Sequence, residues 1–411
     1  MLLFSGSLAT SQSPDPGAKQ TEPRPPVFSA GEDGFVIQSP DGDYRLQFGL
    51  LLQADGRFDA GDDDGEEVDT FALRRVRPQL HGRIAQRFEF FLNPDFAGGT
   101  LVLQDAYLDT RFSPAFIVRI GKGKTPFGLE RLSSAGTLVF LERALPNALV
   151  PNRDVGVQVF GEIPGGIVSY AAAVLNGVAD GGSGDVDTND GKDLVGRIVI
   201  RPFGPASTTA HKPSPASGLT IAVAGTTGNQ TGTLATIRTP TLLQTFLSYA
   251  GATADGRLNR YSPQASYYFK RLGAIAEYVH TNVPMRKATV RREISQEAWQ
   301  IAGSFVLTKG DRVTERGVRP LHNFDFGNGH LGALQVAARY HALFADEQVE
   351  TLGLATPGSS REAKAWTLGL NWYLNPNFRY LVDFERIDFD ASDIAARQAE
   401  NAIAFRAQVS F

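Results

Sequence analysis

Basic side chains share one parity in a short segment of the sequence, an arrangement that can bind anions. Arg75, Arg77 and Arg83 alternate in step with Gln79 and His81. Successive side chains of a β-strand point to opposite faces, so this parity places the guanidinium groups on one face. A guanidinium donates two parallel hydrogen bonds, which suits oxyanions. The segment therefore predicts a basic stripe along an aqueous path. Apolar residues mark the other face: Val76, Leu80 and Ile84.

The elements that must position this stripe are β-strands. Polar and apolar residues alternate with period two in 44–57, 366–374 and 403–411. An amphipathic helix needs apolar residues at three- and four-residue spacing, which these segments lack. The pattern predicts an all-β chain. Further segments alternate in the same way: Arg87–Asn93, Val102–Arg111, Leu194–Arg201, Arg260–Phe269, Trp299–Leu307 and Leu331–His341.

Short and long links between the segments mostly alternate, as expected for the periplasmic turns and extracellular loops of a membrane barrel. We expect about sixteen strands, an even number, with both termini on the periplasmic side. Two links, Pro202–Ser217 and Gly310–Gly329, are long where short turns are due. Short links are expected at Gly82–Gln86, Phe112–Ala115, Glu162–Gly166, Lys270–Gly273 and Asn375–Asn377. Long links are expected at Asp59–Asp69, Ala179–Lys192, Thr226–Thr241, Pro284–Glu293 and Ala345–Arg361.

The composition excludes several classes of protein. No stretch approaches eighteen consecutive apolar residues, which argues against a transmembrane helix. The absence of cysteine excludes disulfides and thiolate metal sites. The six histidines form no H-x-x-x-H pair, which argues against a zinc enzyme. A net charge of −4 argues against nucleic-acid binding. We expect no metal and no other cofactor.

A large half-polar sheet needs a means of covering its edges and its apolar face. Closure into a barrel removes the edges, and lipid then covers the apolar face. The alternative is a soluble sandwich or propeller, whose apolar face points inward. The terminal Phe411 favours the membrane barrel, because a C-terminal aromatic residue is typical of bacterial outer-membrane barrels.

The sequence therefore predicts one transmembrane antiparallel β-barrel domain over residues 31–411, preceded by a non-barrel segment over 1–30. Residues 1–9 are mildly apolar, as in a signal remnant or a disordered tail, and 10–26 form a flexible Pro/Ser-rich linker. A long segment without alternation, Thr125–Pro151, is expected to fold inward as a constriction loop. It would bring Arg131, Arg143 and Arg153 to the narrowest zone.

Several sequence blocks resemble the phosphate-selective porin O and P family. The likeness weakens after residue 157 but continues to the last strand. It implies a trimeric outer-membrane porin of sixteen strands, surrounded by lipid, through which small anions such as phosphate diffuse passively. The matching blocks are FALRRVR (71–77), LQDAYL (103–108), RIGKGKTPFGLE (119–130), FLER (140–143) and RDVGV (153–157).

The resemblance also implies particular anion-binding residues. Arg74, Arg75, Lys122 and Lys124 correspond to the family's basic groups. Ser133 and Ser134 match its serines after Gly-Leu-Glu, and Asp95 matches an acidic partner near the lysine. The full basic ladder of the family lacks an assured counterpart, since Thr226–Pro240 contains only Arg238 as a basic residue. Phosphate selectivity is therefore less firmly implied than the porin class.

Strand phase disagrees with the resemblance at Arg74. Strict alternation places Arg74 with Val76, facing lipid or a neighbouring subunit, where an arginine at mid-depth costs about 2–4 kcal/mol. Arg74 must then lie near an interface, at a bulge or in a trimer contact. On phase, Arg75 and Arg77 are the stronger pore-facing candidates.

Other inward-facing charges follow from phase, with cations outnumbering acids. A competing interpretation is that arginines and acids brace the barrel wall against each other. The expected pore-lining cations are Arg45, Arg57, Arg83, Arg111, Arg119, Arg197, Arg201, Arg260, Arg339 and Arg406. The expected inward acids are Asp55, Glu89, Asp105, Asp109, Asp383 and Glu385.

Three other functions compete with an anion porin. A barrel phospholipase would need an activated serine, and no serine lies in a recognisable nucleophile setting, so we expect no enzyme. A non-conducting structural barrel and a porin for cations or sugars also fit the alternation.

The sequence predicts that Arg75→Glu or Lys122→Glu shifts ion selectivity toward cations. The reversal potential in a salt gradient measures this shift. Unchanged potentials in both variants would refute these site assignments.

Overall fold

The structure is a computed structural model that describes residues 25–61, 69–187, 189–204, 214–390 and 397–411. Within these ranges it contains strands almost throughout, with short helical turns in the links. The strands are β1 (Val27–Gly31), β2 (Gly34–Gln38), β3 (Arg45–Asp59), β4 (Thr70–Ile84), β5 (Phe88–Asp95), β6 (Val102–Ser113), β7 (Phe116–Lys124), β8 (Arg153–Glu162), β9 (Val168–Leu175), β10 (Asp193–Ile200), β11 (Leu219–Thr233), β12 (Ile237–Arg238), β13 (Thr245–Leu247), β14 (Thr253–Phe269), β15 (Leu272–Lys287), β16 (Val290–Val306), β17 (Arg312–Thr314), β18 (Gly317–Arg319), β19 (Ala333–Ala345), β20 (Glu362–Tyr373), β21 (Phe378–Phe389) and β22 (Glu400–Ser410). The helical turns are α1 (Leu129–Leu132), α2 (Gln348–Thr351) and the 3-10 segments Ala97–Gly99, Leu145–Leu149 and Pro215–Gly218. None of the helices in the described ranges is long and apolar enough to cross a bilayer.

Sixteen of the described strands close into one antiparallel barrel, as the alternation predicts. The barrel strands are β3–β11, β14–β16 and β19–β22, each paired with the next. The last strand returns to the first, with pairs from Ala402↔Asp59 to Ser410↔Leu51. Closure satisfies the backbone groups that an open edge would leave unpaired in lipid.

The two faces of the barrel wall have opposite chemistry. Phe71, Leu108 and Leu368 point outward and are exposed, whereas Gln53 and Arg406 point inward and are buried. An exposed apolar face around a polar interior is the arrangement of a barrel surrounded by lipid. The soluble sandwich or propeller is therefore wrong, because its apolar face would be the buried one.

The links alternate in length around the barrel. Short links such as 85–87, 114–115 and 270–271 lie at one end, here called the turn end, where the first barrel strand begins and the last one ends. The links 201–218 and 307–332 are long and also lie at the turn end, as predicted. The opposite end, here called the loop end, holds most of the long links.

Two predicted links are wrong because polar strand ends stay paired. Strand β11 continues to Thr233, so the link that follows it is 234–252 rather than Thr226–Thr241. Strands β15 and β16 pair as far as Lys287↔Val290, which leaves a tight turn where Pro284–Glu293 was expected as a loop. Backbone pairing does not depend on side-chain polarity, so polar residues at these positions do not end a strand.

At the turn end, a hairpin formed by β1 and β2 pairs with the part of β3 that β22 does not reach. Strand β2 pairs with the start of β3, from Gln38↔Arg45 to Phe35↔Phe48, beyond the point where β22 ends. The backbone of Phe411 exchanges two hydrogen bonds with Leu50, and its ring lies 5.8 Å from that of Phe35. Strand β1 begins at Val27, inside the segment 1–30 assigned to the linker. The signal and linker predictions for residues 1–24 lie outside the described residues.

Close strand approach makes Gly156 a position that other residues do not fit. A Cβ atom at Gly156 would lie 2.2 Å from the carbonyl oxygen of Val174 on the next strand. We expect Gly156→Ala to destabilise the barrel by about 1–3 kcal/mol through overpacking. Thermal unfolding in detergent, followed by heat-modifiable electrophoretic mobility, measures the loss. Gly196→Ala is the control, since a Cβ there meets nothing within 4 Å. Equal stability of the two variants would contradict the packing argument.

Candidate functional site

The link 125–152 crosses the lumen as a constriction loop. It leaves the wall after β7, rejoins it at β8, and contacts strands on the far side of the barrel. The amide of Leu129 donates to Glu277 at 2.6 Å, and the amide of Leu141 donates to Asp383 at 2.6 Å. Arg379 donates to the carbonyl of Gly136 at 2.9 Å. Side chains of the wall thus satisfy backbone groups that a buried loop would otherwise leave unpaired. The predicted inward-folded loop is confirmed.

An apolar cluster fills part of the β14–β21 side of the lumen near the loop end. Phe127, Leu145 and Leu149 of the constriction loop pack against wall residues such as Ile294 and Leu343. The links 234–252 and 346–361 contribute further buried residues to the same cluster. The cluster does not fill that side completely, because a cavity of about 340 Å³ lined by Tyr268, Ile275 and Ala302 remains next to β14–β16.

Four arginines converge on one carboxylate of the constriction loop, and we call them the arginine cluster. Arg74 donates to both oxygens of Glu142, at 2.5 Å from Nε and 3.2 Å from Nη2. Arg57 donates at 2.7 Å and Arg406 at 3.3 Å. Arg75 lies 3.6 Å away. The Arg74–Arg75 pair indicated by the family resemblance is therefore engaged by the protein's own carboxylate.

A β-bulge explains how Arg74 reaches the lumen. Gln53 pairs with Arg75 and Ala54 pairs with Leu73, so Arg74 is the extra residue. A bulge shifts the parity of a strand by one. Of the alternatives that strict phase left for Arg74, the structure has the bulge, and both arginines contact Glu142 of the constriction loop.

The electrostatics of the cluster favour an ionised Glu142. Burial alone would raise the pKa of Glu142, but Arg74, Arg75 and Arg406 hold it well below its ordinary value. A second carboxylate, Asp55, accepts two hydrogen bonds from Arg406 at 2.6 and 2.7 Å. The cluster therefore combines four guanidinium groups with two carboxylates.

A cavity of about 790 Å³ lies between the constriction loop and strands β3–β10. We call it the basic cavity, since its lining includes six basic and two acidic side chains. Ser134 of the constriction loop also lines it. The basic residues are Arg77, Arg111, Arg119, Lys124, Arg153 and Arg197, and the acids are Asp105 and Glu162.

Three cations beside the basic cavity are held by carbonyl oxygens. Lys124 donates to the carbonyls of Leu132 and Ser133 at 3.0 and 2.8 Å. Arg143 also donates to the Ser133 carbonyl, at 2.9 Å, and Arg131 to a third loop carbonyl. Burial lowers the pKa of Arg143 to about 10, which leaves the side chain cationic at neutral pH. Carbonyl dipoles orient these side chains without cancelling their charge.

Other predicted lumen cations form ion pairs, as the bracing interpretation proposes. Arg77 pairs with Asp95 at 2.7 Å, and Arg153 pairs with Asp105 at 3.0 Å. Asp95, which the resemblance suggested as the acidic partner of a lysine, thus pairs with an arginine instead. Further arginines pair in the same way: Arg119 with Asp109, Arg201 with Glu162, Arg111 with Glu89, Arg260 with Asp180 and Asp193, and Arg339 with Glu385.

The remaining predicted residues fall in different places. Arg45 and Arg83 line a smaller cavity of about 190 Å³ near the turn end. Arg197 donates to Gln264 at 3.1 Å. Lys122 is buried and pairs with Asp185 of the link 176–192. Lys122 is not among the residues that line the basic cavity, and its assignment to the constriction stays a prediction.

Three buried residues of the site were missed from the sequence, namely Glu142, Arg379 and Glu277. Arg379 holds the constriction loop and has the same parity as Asp383, so the phase argument could have found it. Glu277 holds the start of α1 and gave no local signal, because its partner lies 148 residues away. Within the described ranges, no group of three His, Asp or Glu side chains is arranged to hold a metal ion.

A closed sixteen-stranded barrel with an apolar outer face, a charged lumen and an inward loop defines a porin of the bacterial outer membrane. The sequence pattern of the family "Phosphate-selective porin O and P" matches residues 46–411, and the chain belongs to that family. It is 23% identical to Porin O of Pseudomonas aeruginosa over 374 residues, which covers 83% of this chain and 82% of that protein.

Solved structures share the fold at low sequence identity. The outer membrane channel DcaP of Acinetobacter baumannii has a TM-score of 0.58 and 13% identity, covering 91% of this chain and 99% of its own. The anion-selective porin from Comamonas acidovorans has a TM-score of 0.55 and 10% identity, covering 90% and 100%. A trimer form of OmpT from Vibrio cholerae has a TM-score of 0.54 and 11% identity, covering 90% and 99%.

The anchor at Asp383 should limit motion of the constriction loop. Asp383→Ala removes the acceptor of the buried Leu141 amide, at a cost of about 1–3 kcal/mol. We expect noisier single-channel currents and faster amide exchange in the loop. Asp388→Ala on the same strand is the control, because Asp388 is exposed and pairs with a partly exposed Arg386. Equal noise in both variants would show that Asp383 does not restrain the loop.

Proposed function

We propose that this porin conducts small anions, with inorganic phosphate among them, through the basic cavity. The observation that supports this most is the lining of the cavity, in which six basic side chains face two acidic ones. The family description and the anion-selective porin among the similar structures agree with it. We propose passive diffusion without a catalytic step.

The chemistry of the cavity suits a hydrated anion moving past several weak sites. Arg77 and Arg153 keep guanidinium groups at the wall although each also binds a carboxylate. Among the described residues, Lys124 adds an ammonium group whose hydrogen bonds go to carbonyl oxygens of the constriction loop rather than to a carboxylate. An anion can exchange part of its water shell for hydrogen bonds from these donors. It can then leave, because each donor already has a partner in the protein and binds the anion weakly. Cations are disfavoured by the same positive field.

The assembly we propose is a homotrimer in outer-membrane lipid, with no nucleic-acid partner. The trimer form of OmpT supports this, together with the exposed apolar outer wall. Mass measurement of the protein in detergent tests the trimer.

Lys124 and Lys122 form a matched pair for testing the path. We expect Lys124→Gln to lower the anion-to-cation permeability ratio at least about twofold, since a cavity charge is lost. Lys122→Gln should leave the ratio close to that of the parent protein, because Lys122 is neutralised by Asp185 and does not line the basic cavity. Reversal potentials in a salt gradient give both ratios. Equal shifts of the permeability ratio in the two variants would contradict an anion path through the basic cavity.

Phosphate passage has its own measurement. We expect millimolar phosphate to reduce the chloride current, because an oxyanion gains paired hydrogen bonds from guanidinium groups that chloride cannot. Parent protein that prefers cations, or chloride current that phosphate leaves unchanged, would count against phosphate conduction.

A further inference from the structure

The arginine cluster has the composition of an oxyanion site, yet its centre is occupied by Glu142. A carboxylate offers two oxygens with about four acceptor positions. Three guanidinium groups donate to those oxygens, and Arg75 lies close behind them. Glu142 thus occupies the position that a phosphate or a free carboxylate would take.

We propose that Glu142 is a built-in counter-ion that closes the Arg74–Arg75 pair to permeating anions, so that this residue sets which basic groups the channel uses. The inference rests on the proposed anion conduction and names a specificity-determining residue for it. Phosphate and carboxylates are the ligand class that the cluster would otherwise bind, because a guanidinium fork matches two oxygens of one group.

Burial and access support this assignment. The side chain of Arg74 is 31% exposed, whereas those of Arg75 and Arg406 are 4% and 0% exposed. Arg74 is thus the most exposed of these three arginines. The Nε atom of Arg75 is buried with no hydrogen-bond partner in the described residues, so donor capacity remains in the cluster.

The surrounding charges explain why the cluster keeps a net attraction for anions. Asp55 is the other carboxylate in contact, and it pairs with Arg406 and Arg57. Neutralising Glu142 would leave one carboxylate beside four guanidinium groups. The loop would keep its other anchors on the wall, such as those to Asp383 and Glu277.

The decisive variant is Glu142→Gln, which keeps the size and one acceptor oxygen of the side chain. We expect phosphate to block chloride current at a concentration at least about fivefold lower than in the parent, as one charge-assisted contact is gained. Adding Arg74→Gln to Glu142→Gln should return the blocking concentration of phosphate to that of the parent protein. Glu142→Asp, which keeps the charge, should resemble the parent.

Asp388→Asn is the matched control, because it removes a carboxylate that pairs with Arg386 at 2.9 Å, away from both the arginine cluster and the basic cavity. Its phosphate block should equal that of the parent. Heat-modifiable mobility confirms that each variant is folded.

Two results would overturn the proposal. One is a phosphate block in Glu142→Gln equal to that of the parent. The other is a large rise in conductance with loss of selectivity, which would show that Glu142 only anchors the loop. The parent protein's own reversal potential tests anion conduction separately, so failure of that function is distinguished from failure of this inference.

Discussion

The whole structure depends on the absence of water in the hydrocarbon layer of the membrane. Every backbone N–H and C=O in that layer must find a partner within the protein, which strands achieve by closing into a ring. Once the ring is closed and the outer face is apolar, the polar side chains of each strand must share one lumen. The concentration of charge inside this barrel is therefore a consequence of closure.

Parts of such a lumen can be open, crossed by ion pairs or filled by apolar side chains. The described residues show all three conditions. The side near β14–β21 is partly filled by an apolar cluster that includes Leu149 and Leu343. Bracing pairs such as Arg260 with Asp180 consume many of the inward cations. Open space remains next to β4–β10, where Lys124 donates hydrogen bonds to carbonyl oxygens of the constriction loop.

The constriction loop connects these conditions, because it is held by the same polar wall that lines the path. Its amides bind wall carboxylates, and its Glu142 binds wall guanidinium groups. A change in either set of contacts alters both the width of the path and the number of free charges. Selectivity and loop position are thus parts of one electrostatic arrangement.

The sequence by itself determined the fold class, the strand number and the inward faces, because alternation along a strand is a local property. It also indicated an inward loop at 125–151, since no strand pattern fits there. Local phase failed at Arg74, where a bulge set by pairing with β3 shifts the parity. Only the tertiary structure decided which inward cations are free. A charge is neutralised by residues far along the chain, as Arg406 is by Asp55 351 positions away, and one-dimensional spacing does not contain that distance.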